Sequence, residues 1–484
     1  MSETKSIWHI TKRLGVNSMA YGFFRTINQV GALLMLPIYW AYLTPRDFGL
    51  MAIMSIIAMV LQPVANLGLQ SSVERFYFEY DEEYRWKAIT KIWLISVMSA
   101  LIIILSLDQI LNYQYTAFFS KGQYSSIRIA VFTIFFISFQ YVPFVILRVT
   151  ERIKEFGIIT SLSFLTMSGI NIILIVYLDF GVEGYFLGQF ANAVIWGGYW
   201  VIWMSRKWQF DLSVPIIEEL KYSLFQVPVV IVDSISKVVD KFLLEKYIGL
   251  ADLGVYSIAD RFGGFFFQIN SSLKAAFFPI IYKSVSLDEQ DTKHTLSKVS
   301  MVYYLFIIYF ALIFSLLSES FIRIFAGEEY YSAISYIPYF VFIYFIKCQE
   351  TVWGRGADLA KRNDIHMYIS VPLLIGSIIL SYFLIKSFGI FGAIWALIIA
   401  SLIRVSVLIV VGHILFKRPF PWKYFTSVTV YCGLIYWGIS NIHFGSYWLD
   451  FLLRFIAITM FILIYFIAFL KFFDKPKIAT VVVS

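Results

Sequence analysis

Long apolar runs recur along the whole chain, and their number and length constrain the fold more than any other feature. A transmembrane helix needs about 20 predominantly apolar residues to cross the hydrocarbon core of a bilayer. Only 14% of the chain is charged, against about 25% in a typical soluble domain. The sequence therefore predicts an all-α polytopic membrane protein with about 14 transmembrane helices, at approximate limits 17–43, 48–71, 88–107, 127–147, 157–178, 182–204, 222–245, 253–277, 299–318, 332–352, 367–386, 389–412, 423–442 and 450–471.

The basic residues between these runs predict the orientation of the chain. Lys and Arg gather in the cytoplasmic loops of membrane proteins. With the N-terminus inside, the predicted inner loops and tails hold most of the 39 Lys and Arg, whereas the predicted outer loops hold few. This alternation predicts that both termini are cytoplasmic. It also accounts for the net charge of +8 without a nucleic-acid partner.

A second set of charges lies within the apolar runs themselves. A charged side chain in the middle of a bilayer costs about 3 kcal/mol when it faces lipid. Most of these residues are therefore expected to face inward or to reach the interface. Basic members outnumber acidic ones, which predicts an interior that favours an anion. The basic members are Arg25, Lys237, Lys241, Arg261, Lys347, Arg404 and Arg454, and the acidic members are Asp233, Asp240, Asp260 and Glu350.

The densest group of these charges lies between residues 232 and 265. In a helix, Asp233, Lys237 and Asp240 follow one another at i, i+4 and i+7 and share one face. Lys241 extends that face. Two interpretations stay open: charges that pair with each other at a helix end, or a polar pathway through a bundle of membrane helices.

Two short sequences occur twice at nearly the same offset. AYLTPRDFG at 41–49 aligns with KYIGLADLG at 246–254, an offset of 205, and FGVEG at 180–184 aligns with FGIFG at 388–392, an offset of 208. Six predicted spans separate the copies, so both copies cross the membrane in the same direction. This predicts two lobes related by an axis along the membrane normal, with a substrate path between them. The predicted parts are an N-terminal six-helix lobe at 1–210, a C-terminal six-helix lobe at 211–416, and helices thirteen and fourteen with a short cytoplasmic tail at 417–484.

The sequence contains no recognisable motif for a metal, a nucleotide or a nucleophile. Cys348 and Cys432 lie inside apolar runs, and the five histidines lack metal-site spacing. The predicted outer loops are short and hold no paired carboxylates, which argues against a polymerase or a glycosyltransferase. We therefore predict a transporter rather than an enzyme, with no metal, no cofactor and no catalytic residue.

Two motifs resemble a known family of transporters. NLGLQSSVERFY at 66–77 resembles the end of the second helix of polysaccharide-repeat (O-antigen type) flippases, and VDKFLLEKYIGLADLGVYSIADR at 239–261 resembles the junction of their seventh and eighth helices. These flippases belong to the multidrug/oligosaccharidyl-lipid/polysaccharide (MOP) exporter superfamily. Their topology of two six-helix lobes plus two helices covers the whole chain. Lys241 departs from the pattern, since an arginine is expected after Asp240, and lysine keeps the charge but loses the bidentate fork.

The resemblance implies a function and a set of site residues. A flippase of this family moves an undecaprenyl-pyrophosphate-linked oligosaccharide to the outer leaflet of the bacterial cytoplasmic (inner) membrane, by alternating access through a cationic central cavity. A pyrophosphate needs several fixed donors to leave water, and we expect Arg25 and Arg261 to bind it. Arg75, Lys237 and Lys241 are expected to line the route, and Glu74, Asp233, Asp240 and Asp260 are expected to shape the field or hold a coupling ion.

Other functions stay open at this point. A cation-coupled multidrug exporter of the same superfamily would carry an acidic cavity, which the surplus of basic residues disfavours. A lipid II flippase is a close variant of the main prediction. A membrane enzyme of glycan assembly, such as a repeat-unit polymerase, is the third alternative. The expected partners are the lipid-linked oligosaccharide and membrane lipid, while a coupling ion (H⁺ or Na⁺) and an association with other glycan-assembly membrane proteins stay open.

Overall fold

The computed structural model describes residues 24, 27–118, 121–211, 213–236, 238–285, 289–354, 364–415, 422–442 and 445–473. This part of the chain is helical and contains no strand. Its helices are α1 (27–42), α2 (Pro45–Ala65), α3 (Gln70–Phe76), α4 (Glu82–Phe118), α5 (Lys121–Val149), α6 (Ile153–Ile172, continued by a π-helical turn at Ile173–Tyr177), α7 (Gly181–Ser205), α8 (Ile217–Ser236), α9 (Val239–Tyr247), α10 (Leu250–Val285), α11 (Glu289–Phe325, followed by a 3₁₀ turn at Glu328–Tyr330), α12 (Ser332–Val352), α13 (Asp364–Leu415), α14 (Trp422–Ser440) and α15 (Tyr447–Phe473).

Apolar helices long enough to cross a membrane make up most of the described chain. Eight helical stretches there meet that criterion by length and composition, and a further helix, Phe425–Ser440, is apolar but shorter. One of the eight, Tyr368–Leu415, has 48 residues, about twice what a single crossing needs. The predicted all-α polytopic class is therefore confirmed.

The long stretch α13 is two helices joined at Gly389. This glycine has φ 60° and ψ −133°, a conformation that a residue with a side chain rarely adopts. A Cβ on Gly392 would lie 2.0 Å from the carbonyl oxygen of Leu384, although a continuous helix would separate these positions by about 12 Å. The chain therefore folds back at Gly389, where the sequence predicts the boundary between helices eleven and twelve.

The second apolar run ends earlier than its predicted limit of 71. Helix α2 ends at Ala65, because Leu67 and Gly68 have positive φ values of 53° and 63°. The turn is held by Asn66, whose side-chain oxygen accepts a hydrogen bond from the backbone N–H of Gly68 at 3.1 Å. Beyond the turn, α3 is a separate short helix.

The predicted seventh span, 222–245, is also two helices rather than one. Helix α8 ends at Ser236 and α9 begins at Val239, with Val238 at φ −131° and ψ −10° between them. This interruption breaks the helical spacing between Asp233 and Asp240. The prediction of one continuous charged face is therefore wrong, because it assumed an unbroken helix.

The described residues form two compact units. The first unit is the described part of Met1–Ile258 and Leu374–Ala396, and the second is the described part of Ala259–Leu373 and Leu397–Ser484. An apolar core in the first unit joins α3, α4, α5 and α7. A core in the second unit joins α11, α14 and α15. The lobe limits predicted from the repeat stay a prediction.

Residues of the repeated sequence contact each other within the first unit. A Cβ on Gly49 would lie 1.9 Å from the carbonyl oxygen of Leu250, and a Cβ on Gly254 would lie 1.7 Å from that of Pro45. Pro45 and Leu250 are themselves equivalent at the offset of 205, so the two contacts are reciprocal, as in elements related by a twofold axis. In the second match, Gly181 has a φ of 53° and so resembles its equivalent in the α13 turn. Both observations support the internal repeat.

Candidate functional site

Charged side chains on or beside the apolar helices are the candidates for a functional site, and the short helix α3 in the first unit holds two of them. Glu74 and Arg75 are both exposed. The Arg75 guanidinium pairs with Glu79 one turn later, and Arg148 at the end of α5 lies 3.7 Å from the Glu74 carboxylate. Exposed pairs of this kind contribute about 0–1 kcal/mol. Arg75 is therefore an exposed guanidinium whose ion pair contributes little to stability.

Asp240, at the start of α9, is held by the fold of the first unit. Its side chain is buried, and its carboxylate accepts a hydrogen bond from the hydroxyl of Tyr256 on α10. Tyr256 is itself fully buried. A buried carboxylate needs such donors because it has lost water. The next residue, Lys241, is half-buried on the same helix.

The segment between α7 and α8 and the first turn of α8 are bound to α4 and to the turn that precedes it. The Lys91 ammonium donates to the carbonyl oxygen of Val214 at 2.8 Å. The Tyr80 hydroxyl donates to the buried Glu219 at 2.9 Å. Burial, followed by the hydrogen bond to Glu219, raises the pKa of Tyr80 well above its usual value. The phenol therefore remains protonated and keeps donating across the physiological pH range.

In the second unit, α12 carries polar residues along one side of an apolar helix. Tyr344, Lys347 and Glu350 recur every third residue, and all three are half-buried. The Tyr344 hydroxyl donates to the Asp260 carboxylate of α10 at 2.8 Å, and the Lys347 ammonium lies 4.9 Å from the centroid of the Tyr344 ring, within cation–π range. Gly263 permits this close packing, because a Cβ there would lie 2.5 Å from the Tyr344 ring.

An arginine from α13 completes this set. The Nε and Nη2 atoms of Arg404 donate to the two carboxylate oxygens of Glu350 at 3.1 and 3.3 Å, and Nη1 donates to the Ser370 hydroxyl at 2.8 Å. The side chains of Arg404 and Glu350 are 35% and 28% exposed, so the pair is accessible. We call the following five residues the charged wall of the second unit: Asp260, Tyr344, Lys347, Glu350 and Arg404.

The charged wall combines acidic and basic side chains in equal number. It contains two carboxylates and two basic side chains, and the half-buried Arg261 follows Asp260 directly on α10. Basic groups therefore exceed acidic groups by one when Arg261 is included. Because the groups alternate in sign, each carboxylate holds a donor in place and also competes with any incoming anion for that donor.

A third arginine, Arg454 on α15, is accommodated differently. It is only 2% exposed. Its Nη1 donates to the Leu316 carbonyl and to the Glu319 carboxylate, both at 3.2 Å, and its Nη2 donates to the Ile442 carbonyl at 3.0 Å. It lines a largely apolar recess of about 660 Å³ among α11, α12, α14 and α15. Backbone and carboxylate acceptors thus hold this charge inside the second unit, and it supports the fold.

The structure describes six of the nine predicted site residues in full. Arg25 and Lys237 lie outside the described residues, and Asp233 lies on α8, where only its backbone is described. Glu74, Arg75, Asp240 and Lys241 belong to the first unit, and Asp260 and Arg261 belong to the second. Their roles in binding or coupling stay predictions. Among the described residues, no group of three His, Cys, Asp or Glu is placed to hold a metal ion.

Three members of the charged wall were recognised from the sequence as deep charges but were not assigned to the site: Lys347, Glu350 and Arg404. No local pattern pairs Glu350 with Arg404, because they are 54 residues apart. Tyr344 gave no signal at all among 32 Tyr and 48 Phe. Only the side-chain contacts bring these residues into one set.

Comparison with known proteins identifies the family. The family model described as "Polysaccharide biosynthesis protein" matches residues 42–335, more than half of the chain. The chain therefore belongs to the polysaccharide biosynthesis protein family. No curated protein sequence matches it.

Solved structures define the wider class. The lipid II flippase MurJ in an inward closed conformation matches with a TM-score of 0.73 and 16% identity, over 95% of this chain and 99% of that chain. An outward-facing multidrug resistance MATE family transporter matches with a TM-score of 0.54 and 15% identity, over 84% and 96%. A MOP superfamily transporter from Pyrococcus furiosus matches with a TM-score of 0.53 and 16% identity, over 84% and 94%. The chain thus has the fold of the MOP superfamily, and the resemblance stated from the sequence is confirmed.

Proposed function

We propose that the protein is a flippase that moves an undecaprenyl-pyrophosphate-linked oligosaccharide repeat unit from the cytoplasmic to the outer leaflet of a bacterial inner membrane. The observation that carries the proposal is the match of residues 42–335 to the polysaccharide biosynthesis protein family. Basic side chains within apolar helices support it, because charges that lipid cannot solvate suit a membrane-embedded path for an anionic head group.

The proposed path works by alternating access through a cationic cavity, while the lipid tail stays in the bilayer. An arginine fork binds two phosphate oxygens at once, and such charge-assisted bonds offset the hydration that the head group loses. The membrane potential acts on the same charges, at about 2.3 kcal/mol per elementary charge per 100 mV. In this proposal Arg25 and Arg261 bind the diphosphate, Arg75, Lys237 and Lys241 line the route, and Glu74, Asp233, Asp240 and Asp260 shape the field or hold a coupling H⁺ or Na⁺.

The test is a flipping assay in liposomes that contain the purified chain and a labelled undecaprenyl-pyrophosphate oligosaccharide. The rate at which the head group becomes accessible on the opposite leaflet is measured. We expect Arg25→Ala and Arg261→Ala each to slow flipping about tenfold or more, because a hydrogen bond to a charged group contributes about 1.5–3 kcal/mol. Arg323→Ala is the matched control, since Arg323 pairs with Glu319 at 3.1 Å outside the charged wall, and it should keep the wild-type rate.

The outcomes separate the parts of the proposal. Flipping that is unaffected by both substitutions would keep the function and refute the two assigned residues. The absence of flipping with several glycans, under imposed H⁺, Na⁺ and potential gradients, would refute the function itself.

A lipid II flippase is the second candidate, favoured by the TM-score of 0.73 with MurJ. The same liposomes loaded with labelled lipid II test it, together with complementation of peptidoglycan synthesis in cells. Faster flipping of lipid II than of any repeat-unit lipid would replace the first candidate by the second. Drug resistance conferred on cells without flipping of either lipid would instead support a multidrug exporter.

A further inference from the structure

The ion pair between Arg404 and Glu350 has a geometry that a phosphate could take over. Two guanidinium nitrogens of Arg404 point at the two oxygens of one carboxylate, at 3.1 and 3.3 Å. The same fork binds two oxygens of a phosphate in the same manner. Glu350 therefore occupies the positions at which two phosphate oxygens would bind Arg404.

The pair is accessible although it lies on apolar helices. Arg404 belongs to the apolar stretch Tyr368–Leu415 and Glu350 to the stretch Glu328–Thr351. Around Arg404, Ser401, Val405 and Leu408 are buried, whereas Leu402 and Ile403 are exposed, so Arg404 lies at the edge of the packed side of its helix. Arg454, by contrast, is buried and donates to two backbone carbonyls as well as to Glu319.

Arg404 has a second anchor that does not depend on Glu350. Its Nη1 donates to the Ser370 hydroxyl at 2.8 Å, so the guanidinium stays oriented when the carboxylate moves away. Lys347 lies one turn before Glu350 on the same side of α12 and adds a second positive charge.

We propose that Arg404 is a diphosphate-binding residue and that Glu350 is a built-in competitor for its guanidinium. The inference rests on the proposed function and extends it to a residue pair. In the unloaded protein, the carboxylate neutralises Arg404 within the apolar helices. An incoming diphosphate displaces the carboxylate from the fork, and the returning carboxylate displaces the diphosphate, so the site binds its anion without retaining it.

The test measures binding of undecaprenyl pyrophosphate, which lacks sugars, to the purified full chain in nanodiscs. Undecaprenol, which lacks the diphosphate, reports on the contribution of the tail alone. We expect Glu350→Gln to bind undecaprenyl pyrophosphate about tenfold tighter than the wild type, because the competing charge is gone. Undecaprenol binding should not change. Flipping of the full substrate should slow, because release becomes slower.

Three further variants decide whether Glu350 acts through Arg404. Arg404→Gln should weaken binding about tenfold, and Arg404→Lys should fall between it and the wild type, because lysine keeps the charge without the fork. The double variant Glu350→Gln/Arg404→Gln should bind like Arg404→Gln alone. Asp108→Asn is the matched control, since Asp108 accepts a bidentate pair from Arg128 at 2.6 and 2.9 Å in the first unit, and it should leave binding unchanged.

The Glu350→Gln result is decisive even where an Arg404 variant yields little folded protein. Binding by Glu350→Gln that is equal to or weaker than wild-type binding would show that the pair is structural, and would overturn the inference while wild-type flipping kept the proposed function. A wild-type chain that binds neither undecaprenyl pyrophosphate nor the full substrate would overturn both.

Discussion

The two compact units hold their key residues in opposite ways. In the first unit, the glycines of the repeated sequence press against backbone, and Asp240 is buried beneath Tyr256. In the second unit, the charged wall is half-exposed, and Gly264 on α10 has open space where a Cβ would go. The difference separates buried residues that hold the fold from half-buried residues that remain partly exposed. Matched substitutions in the two places test that separation.

The largest contrast is expected from two glycines on the same helix. Gly254→Ala places a Cβ 1.7 Å from the Pro45 carbonyl oxygen, so the backbones must separate, at about 3 kcal/mol or more. Gly264→Ala adds a Cβ in open space and improves the helix propensity by about 0.5–1 kcal/mol. Thermal unfolding in detergent should therefore show a much lower midpoint temperature for Gly254→Ala and no decrease for Gly264→Ala. Equal midpoints would mean that the contact at Gly254 is not part of the folded state.

Two carboxylates with bidentate arginines give the next contrast. Asp108 is 6% exposed in its side chain and Glu350 is 28% exposed. Asp108→Asn removes the charge of the buried carboxylate and should lower the free energy of unfolding by about 2 kcal/mol. This is less than the full cost of breaking a buried pair, because Arg128 is itself half-exposed. Glu350→Gln should cost less than about 1 kcal/mol. Unfolding in a graded denaturant measures both free energies. A larger loss of stability for Glu350→Gln than for Asp108→Asn would show that the pair of Arg404 and Glu350 is mainly structural.

The smallest contrast is between two tyrosine hydroxyls that donate to aspartates. Tyr256→Phe removes the hydroxyl that donates to the buried Asp240 and should cost about 1–2 kcal/mol. Tyr344→Phe affects the half-buried Asp260 and should cost about 0.5 kcal/mol. In the flipping assay the order should reverse, with the Tyr344 variant the more impaired when compared at equal amounts of folded protein. If the variant that loses more stability also loses more flipping activity, the proposed distinction between structural residues and the charged wall is wrong.

The sequence predicted the helix boundaries only where the signal was local. The split at Phe388–Gly389 was predicted because only a short turn separates two apolar runs there, each long enough to span a membrane. The break between α8 and α9 was missed, because residues 222–245 are apolar and charged in a pattern that also suits one helix. Beyond the break, the hydrogen bond between Asp240 and Tyr256 joins α9 to the next helix, and no local pattern in the sequence signals that contact.

The sequence by itself determined the membrane class, the predicted orientation, the repeat and the family. The membrane class and the predicted orientation follow from local composition, because transfer of an apolar run into a bilayer is nearly additive over its residues. The repeat is a comparison of short segments, and the family rests on the resemblance of two motifs. The tertiary structure decided which charges meet. Arg454 and Arg404 look alike in sequence, as single arginines in apolar helices, and each pairs with a glutamate. Arg454 is buried and also donates to two backbone carbonyls, whereas Arg404 pairs with Glu350 on a partly exposed surface. Burial and pairing depend on residues far apart in the chain, so only packing could distinguish a structural arginine from a candidate binding residue.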